Sequence, residues 1–251
     1  MRIRWLPSTK AVVLLNIFNK HFWTVKLISR FFFWNALLIP IGGLAARFLA
    51  GTGANPIEKI LRHMGTTTLV FLFLTLAVTP LRRLTGWAWP GALRRMAGLF
   101  AFFFGTLHFI VYIGIDQFFS WASIVKDVAK HKFVTVGFAT WILLIPLAVT
   151  STNKMIRRMG GKQWRALHRL TYLVAAGGVF HYLWLVKKDI QNPLIYGAIL
   201  AGLLGLRVFW FLHRYYDGQS SMTAPFVSRP SIHRKKQDFV EIEQGRKTGL
   251  P

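Results

Sequence analysis

Two histidines within one long apolar stretch are the residues of this chain with the clearest chemical potential. His168 and His181 lie in LHRLTYLVAAGGVFHYLW, residues Leu167 to Trp184, and are 13 residues apart. That spacing corresponds to about 20 Å along a helix, and ionisable side chains in a spanning helix indicate function because they are costly there. Neutral imidazole ligates haem iron, and helix bundles can hold a porphyrin between facing histidines. The stretch therefore predicts one wall of a haem site, with interhelical hydrogen bonding as the structural alternative.

The composition indicates that these histidines lie in a membrane protein. Hydrophobic residues make up 53% of the 251 residues and charged residues only 16%, and several apolar stretches are long enough to cross a bilayer. The net charge of +24 comes from short basic clusters between apolar segments, which is the positive-inside pattern and not that of a nucleic-acid-binding protein. Because the chain has no cysteine, disulfides, Fe–S clusters and covalent haem attachment are excluded. Any haem must be bound non-covalently.

The apolar stretches predict an all-α, polytopic membrane helix bundle with six transmembrane helices. The predicted spans cover about 28–49, 61–79, 96–116, 133–150, 167–184 and 194–211, with Pro80 ending the second. Residues 120–132 are predicted to form a loop or a surface helix. The chain then divides into a basic cytoplasmic leader (1–26), a six-helix haem-binding transmembrane domain (27–213) and a disordered cytoplasmic tail (214–251).

Basic residues set the predicted orientation. They are densest between the second and third spans, at Arg82, Arg83, Arg94 and Arg95, and between the fourth and fifth, in residues 151–165. Loops rich in Lys and Arg stay in the cytoplasm. The prediction is therefore a multi-pass protein of the bacterial inner membrane, in contact with its lipids and with both termini in the cytoplasm.

This orientation places the histidines at two depths. His108, on the third span, lies about 20 Å beyond Arg95, and His181 lies at a similar depth beyond Arg165. Since the two spans run parallel, His108 and His181 are expected to meet across one haem near the outer leaflet. His168 lies near the cytoplasmic surface, and no second histidine within a span stands at its depth.

The angular positions of the histidines leave one question open. On an ideal helix His168 and His181 point about 140° apart. Either the helix is distorted near Gly177 and Gly178, or the two side chains face different pockets, and the sequence allows both. His63 stands at the mouth of the second span near water, where a structural role is expected.

Four segments of the chain resemble a known family. They are TSTNKMIRRMGGKQWRALHRLTYLVAAGGVFHYLWLVK, GLFAFFFGTLHFIVY, LTLAVTPLRR and NPLIYGAILAGLLGLR. They resemble the MsrQ (YedZ) family, the haem-binding membrane subunits of bacterial periplasmic methionine-sulfoxide reductase systems, within the ferric reductase-like transmembrane proteins. The resemblance covers about Asn55 to Arg207 and is densest from Thr150 to Lys187.

The resemblance implies heme b, a flavin (FMN) and electron delivery to a periplasmic molybdenum-containing subunit that reduces protein methionine sulfoxide. The donor would be the quinone pool or a cytosolic flavin reductase. The family's haem-iron ligands fall on His108, His168 and His181. The wider superfamily has a fourth histidine 14 residues before His108, where this chain has Arg94. The Arg94 guanidinium either pairs with haem propionates or is one of the basic residues that set the membrane orientation. The expectation of FMN rests on the resemblance alone, and no residues are assigned to it.

Three functions follow as hypotheses. The first is an electron-transfer subunit of an oxidoreductase, with the final catalysis in a separate partner. The second is a stand-alone quinone or metal reductase of the same fold. The third is a non-redox transporter or membrane anchor, which the scarcity of intramembrane Asp and Glu makes less favourable.

Overall fold

The computed structural model describes residues 9–49, 51, 55–86, 90–186 and 190–223, with side chains over 27–46, 49, 51, 55–86, 93–186 and 190–216. Those residues contain no β-strand. The long helices are α1 (Thr9–Leu49), α2 (Pro56–Thr85), α3 (Pro90–Val111), α5 (Lys132–Val149), α8 (Leu170–Leu185) and α9 (Gln191–Thr223). Between them lie the short helices α4 (Trp121–Lys130), α6 (Asn153–Met159) and α7 (Gly161–Leu167), and a π-helical turn, Tyr112–Asp116, extends α3.

The apolar helices have the dimensions of membrane spans. Five segments are long and apolar enough to cross a bilayer: Leu27–Ala46, Pro56–Thr85, Leu93–Asp116, Lys132–Val149 and Gln191–Tyr216. α8 is equally apolar but has only 16 residues, which corresponds to about 24 Å. Together they are consistent with the six predicted spans, and the all-α membrane bundle was predicted correctly.

The core lies where α2, α3 and α8 meet. Leu76, Phe104 and Val174, one from each helix, are fully buried. The ring of Phe104 stacks on that of Phe71 with centroids 5.6 Å apart. Large apolar side chains such as Ile110 and Phe180 point outward, as expected where lipid replaces water as the solvent.

Helix α2 does not end at Pro80, contrary to the prediction. Proline has no backbone N–H, so the carbonyl of Leu76, four residues earlier, lacks its partner within the helix. Arg207 of α9 donates from Nη2 to this carbonyl oxygen at 2.5 Å and from Nη1 to the hydroxyl of Tyr172 on α8. A long-range hydrogen bond therefore replaces the one that proline removes, and α2 continues to Thr85.

The predicted helix Leu167–Trp184 is also wrong at its start. α7 ends at Leu167 and α8 begins at Leu170, so His168 lies at the junction of two helices and not inside a span. The predicted helix is therefore interrupted at residues 168–169, whereas Gly177 and Gly178 lie within the regular helix α8.

The outer parts of the chain are more helical than the predicted domain division implies. α1 begins at Thr9, so it is continuous with most of the predicted leader, and α9 runs to Thr223, past the predicted end of the sixth span. The first eight residues and residues 224–251 of the predicted tail lie outside the described part. Met1–Arg207 form one compact unit, which holds every residue discussed below, and Val208–Pro251 form a second.

Candidate functional site

His108 of α3 and His181 of α8 lie opposite one another. Their ring centroids are 6.1 Å apart and the ring planes are nearly perpendicular, at 87°. Nδ1 of His108 is 2.9 Å from the Leu61 carbonyl oxygen, and Nδ1 of His181 is 2.7 Å from that of Phe133. Because a carbonyl oxygen only accepts, each Nδ1 carries the hydrogen and each Nε2 keeps its lone pair. This is the state that a metal-ligating imidazole requires, with a second contact fixing the ring.

Two glycines make these contacts possible. Leu61 and Phe133 each lie one helical turn before a glycine, Gly65 on α2 and Gly137 on α5. A Cβ atom at Gly65 would lie 3.4 Å from Cε1 of His108, and one at Gly137 only 2.6 Å from Nδ1 of His181. The missing side chains open the helix surface so that each imidazole reaches a backbone carbonyl. Sequence reasoning missed both residues; the available signal was a glycine in the interior of an apolar helix.

The pocket bordered by the two histidines has a volume of about 290 Å³. Its walls are mainly apolar, with Leu69, Phe109 and Trp141 among them. Charged and polar side chains line it as well, among them Glu58, Arg62, Tyr112 and Asp116. A porphyrin has a large apolar macrocycle, and these apolar walls suit it.

The separation of the two imidazoles also fits haem. Two metal–nitrogen bonds of about 2 Å each, with the ring radii added, put opposed imidazole centroids roughly 6 Å apart. The observed 6.1 Å agrees. Two imidazoles alone would not complete the coordination of an iron ion, and a porphyrin would supply the other ligands. The donors, their tautomers and their spacing thus fit a bis-histidine haem.

His168 faces a second chamber, of about 660 Å³. Its Nε2 is 3.2 Å from Oγ1 of Thr150, which itself donates to the Pro146 carbonyl at 2.6 Å. The hydroxyl proton is thereby used, so Nε2 of His168 is the donor of this pair. The ring stacks on Trp164, with centroids 4.1 Å apart. His168 and His181 therefore address different pockets, which answers the question that the sequence left open.

The lining of this second chamber is strongly basic. Arg82, Arg83, Arg94 and Arg95 line it, and the described residues of its lining include neither Asp nor Glu. His168 is the one histidine among those described lining residues. Such a chamber favours an anionic group, which guanidinium binds through paired hydrogen bonds.

His63 takes no part in either pocket. Its Nε2, the nitrogen that usually ligates iron, is 2.8 Å from the carbonyl oxygen of Pro40. The imidazole thus joins α2 to α1, in agreement with the structural role expected from the sequence.

Comparisons with known proteins bear on this fold and site. The family model of the ferric reductase like transmembrane component matches residues 63–179. Three relatives are each named protein-methionine-sulfoxide reductase heme-binding subunit MsrQ. The chain is 54% identical to that of Herminiimonas arsenicoxydans over 178 residues, which are 70% of this chain and 82% of the relative. It is 50% identical to the relative from Rhodospirillum rubrum, and the match covers 74% of this chain and 89% of that relative. It is 55% identical to the relative from Ralstonia nicotianae, and the match covers 63% of this chain and 74% of that relative.

The fold and the family match define a ferric reductase-like transmembrane protein. The identity to these relatives, over most of their length, narrows the class further. The chain belongs to the MsrQ family, whose named members are heme-binding subunits of a methionine-sulfoxide reductase.

Proposed function

We propose that this protein is a haem-containing electron-transfer subunit. It would pass electrons across the inner membrane to a periplasmic, molybdenum-containing methionine-sulfoxide reductase subunit, which repairs oxidised proteins. The donor would be the quinone pool or a cytosolic flavin reductase. The observation that carries the proposal is the opposed pair His108 and His181, each with Nδ1 on a backbone carbonyl. The names of the relatives support the same function.

In this function His108 and His181 would hold a b-type haem through their Nε2 atoms. The haem would supply a one-electron carrier, held non-covalently because the chain has no cysteine. The carbonyl groups of Leu61 and Phe133 keep both rings in the ligating tautomer and orientation, and the apolar walls keep water away from the iron.

The arginine-lined chamber of His168 is proposed as a second, cytoplasmic station. A second haem, which His168 would hold through its imidazole, is the first candidate occupant, and FMN is the other. Both carry anionic groups, carboxylates or a phosphate, that Arg94 and its neighbours would neutralise. Ligation through Nε2 of His168 requires its contact with Thr150 to break, whereas a flavin stacked beside Trp164 leaves that contact intact.

Haem content distinguishes these occupants. We expect the purified full-length protein to contain haem, measured by the pyridine haemochrome assay against protein concentration. A ratio of two per chain supports a second haem at His168. A ratio of one, with FMN released on denaturation, supports the flavin instead. Protein that contains no haem when made with adequate haem supply would overturn the proposed function.

Topology provides a separate test of the direction of electron flow. The basic residues in α6 and α7 predict that Gly160, which joins them, lies in the cytoplasm, and that Ala129 of α4 lies in the periplasm. We expect an alkaline phosphatase fusion to be active at Ala129 and inactive at Gly160, and a green fluorescent protein fusion to show the converse. If both positions report the same side, the six-span arrangement is wrong.

A further inference from the structure

A hydrogen-bonded trio of titratable side chains connects the protein surface to the pocket of His108 and His181. Asp127 of α4 accepts two hydrogen bonds. Oδ2 accepts from the hydroxyl of Tyr112 at 2.7 Å, and Oδ1 lies 2.6 Å from Nδ1 of His131. Tyr112 lines the pocket, whereas the His131 side chain is 43% exposed. The trio therefore runs from solvent to the pocket wall.

The two hydrogens shared within the trio have defined positions. A carboxylate only accepts, so the hydrogens lie on the Tyr112 hydroxyl and on Nδ1 of His131. The remaining imidazole nitrogen, Nε2 of His131, is then free to take up a proton from water. With that nitrogen unprotonated the trio carries one negative charge, and protonation makes it neutral.

We propose that Tyr112, Asp127 and His131 form the proton-uptake site that accompanies electron transfer through the His108–His181 pocket. One electron from the donor enters the pocket while one proton from water binds Nε2 of His131, so the total charge is unchanged. When the electron leaves for the acceptor, the proton returns to water. This inference rests on the proposed function. It also suits the partner's reaction, because a sulfoxide consumes two electrons and two protons to give a sulfide and water.

The other charged groups near the pocket are placed differently. Glu58 and Arg62 of α2 form an ion pair with each other at 2.6 Å. Asp116, in the π-helical turn, is exposed and accepts from Gln117. Lys130 and Lys132, beside His131 in the chain, are exposed. In the trio, by contrast, Asp127 joins an exposed imidazole to a tyrosine of the pocket wall. His63, which lines neither pocket, offers a matched control histidine.

The test is the pH dependence of the haem midpoint potential, measured by spectroelectrochemistry on the purified holoprotein. Uptake of a proton on reduction makes reduction harder as pH rises. We therefore expect the wild-type potential to fall as pH rises. Asp127→Asn and His131→Gln should flatten this dependence, whereas His63→Gln, at a histidine that lines neither pocket, should keep it. A wild-type slope retained in His131→Gln would overturn the inference.

A second measurement needs no variant. The unbuffered wild-type protein is reduced electrochemically, and the pH is followed with an indicator dye. The solution should become more alkaline, corresponding to the uptake of up to one proton per haem reduced. No proton uptake would refute the inference even if the variants failed to fold. Failure of the proposed function is distinguishable, because it would appear as the absence of a haem spectrum.

Discussion

Replacing either His108 or His181 with alanine is expected to abolish the low-spin haem spectrum of the purified protein. The two rings face each other at 6.1 Å with both Nε2 atoms unprotonated, so removing one leaves the iron without an axial ligand. The visible absorption spectrum, with electron paramagnetic resonance of the oxidised form, measures the effect. A normal low-spin spectrum in His181→Ala would eliminate the proposed outer haem site.

Two further variants separate ligation from general damage. His63→Ala removes a histidine that bonds the Pro40 carbonyl and lines neither pocket, so its spectrum should match that of the wild type. Gly137→Ala leaves both histidines in the chain but places a methyl group 2.6 Å from Nδ1 of His181. We expect it to displace the imidazole and weaken or remove the low-spin signal. Loss of the spectrum in His63→Ala would instead indicate that the bundle had been destabilised.

Replacing His168 with alanine is expected to stop reduction of the outer haem from the cytoplasmic side while leaving that haem bound. His168 precedes the start of α8 at Leu170, and His181 lies about 17 Å of helical rise beyond that start, which is long for a single electron-transfer step. The variant removes the proposed second station, so the rate with a cytoplasmic donor should fall to that seen without donor. Dithionite, which needs no internal relay, should still reduce the outer haem.

The measurement uses inverted membrane vesicles, in which the cytoplasmic face is outward. A reduced flavin or quinol donor is added and haem absorbance is followed with time. His63→Ala is the matched control, because it also removes one histidine but lines neither chamber. Wild-type rates in His168→Ala would mean that electrons bypass this chamber, and the two-station pathway would be incorrect.

The sequence alone determined the class of fold and the expectation that His108 and His181 meet. Apolar length and the positions of basic clusters are local properties, so they predict the spans directly. Helical rise is constant, so distance from a basic cluster predicts depth, and His108 and His181 are indeed brought together.

Tertiary structure decided the features that depend on which helix faces which. Helix α2 passes through Pro80 because Arg207, far along the chain, supplies a donor to the orphan carbonyl of Leu76. The ligating tautomers of His108 and His181 depend on carbonyl groups of α2 and α5, exposed beside Gly65 and Gly137. In each of these contacts the two residues are far apart in the sequence. Packing between the helices therefore decides which backbone atoms each side chain can reach.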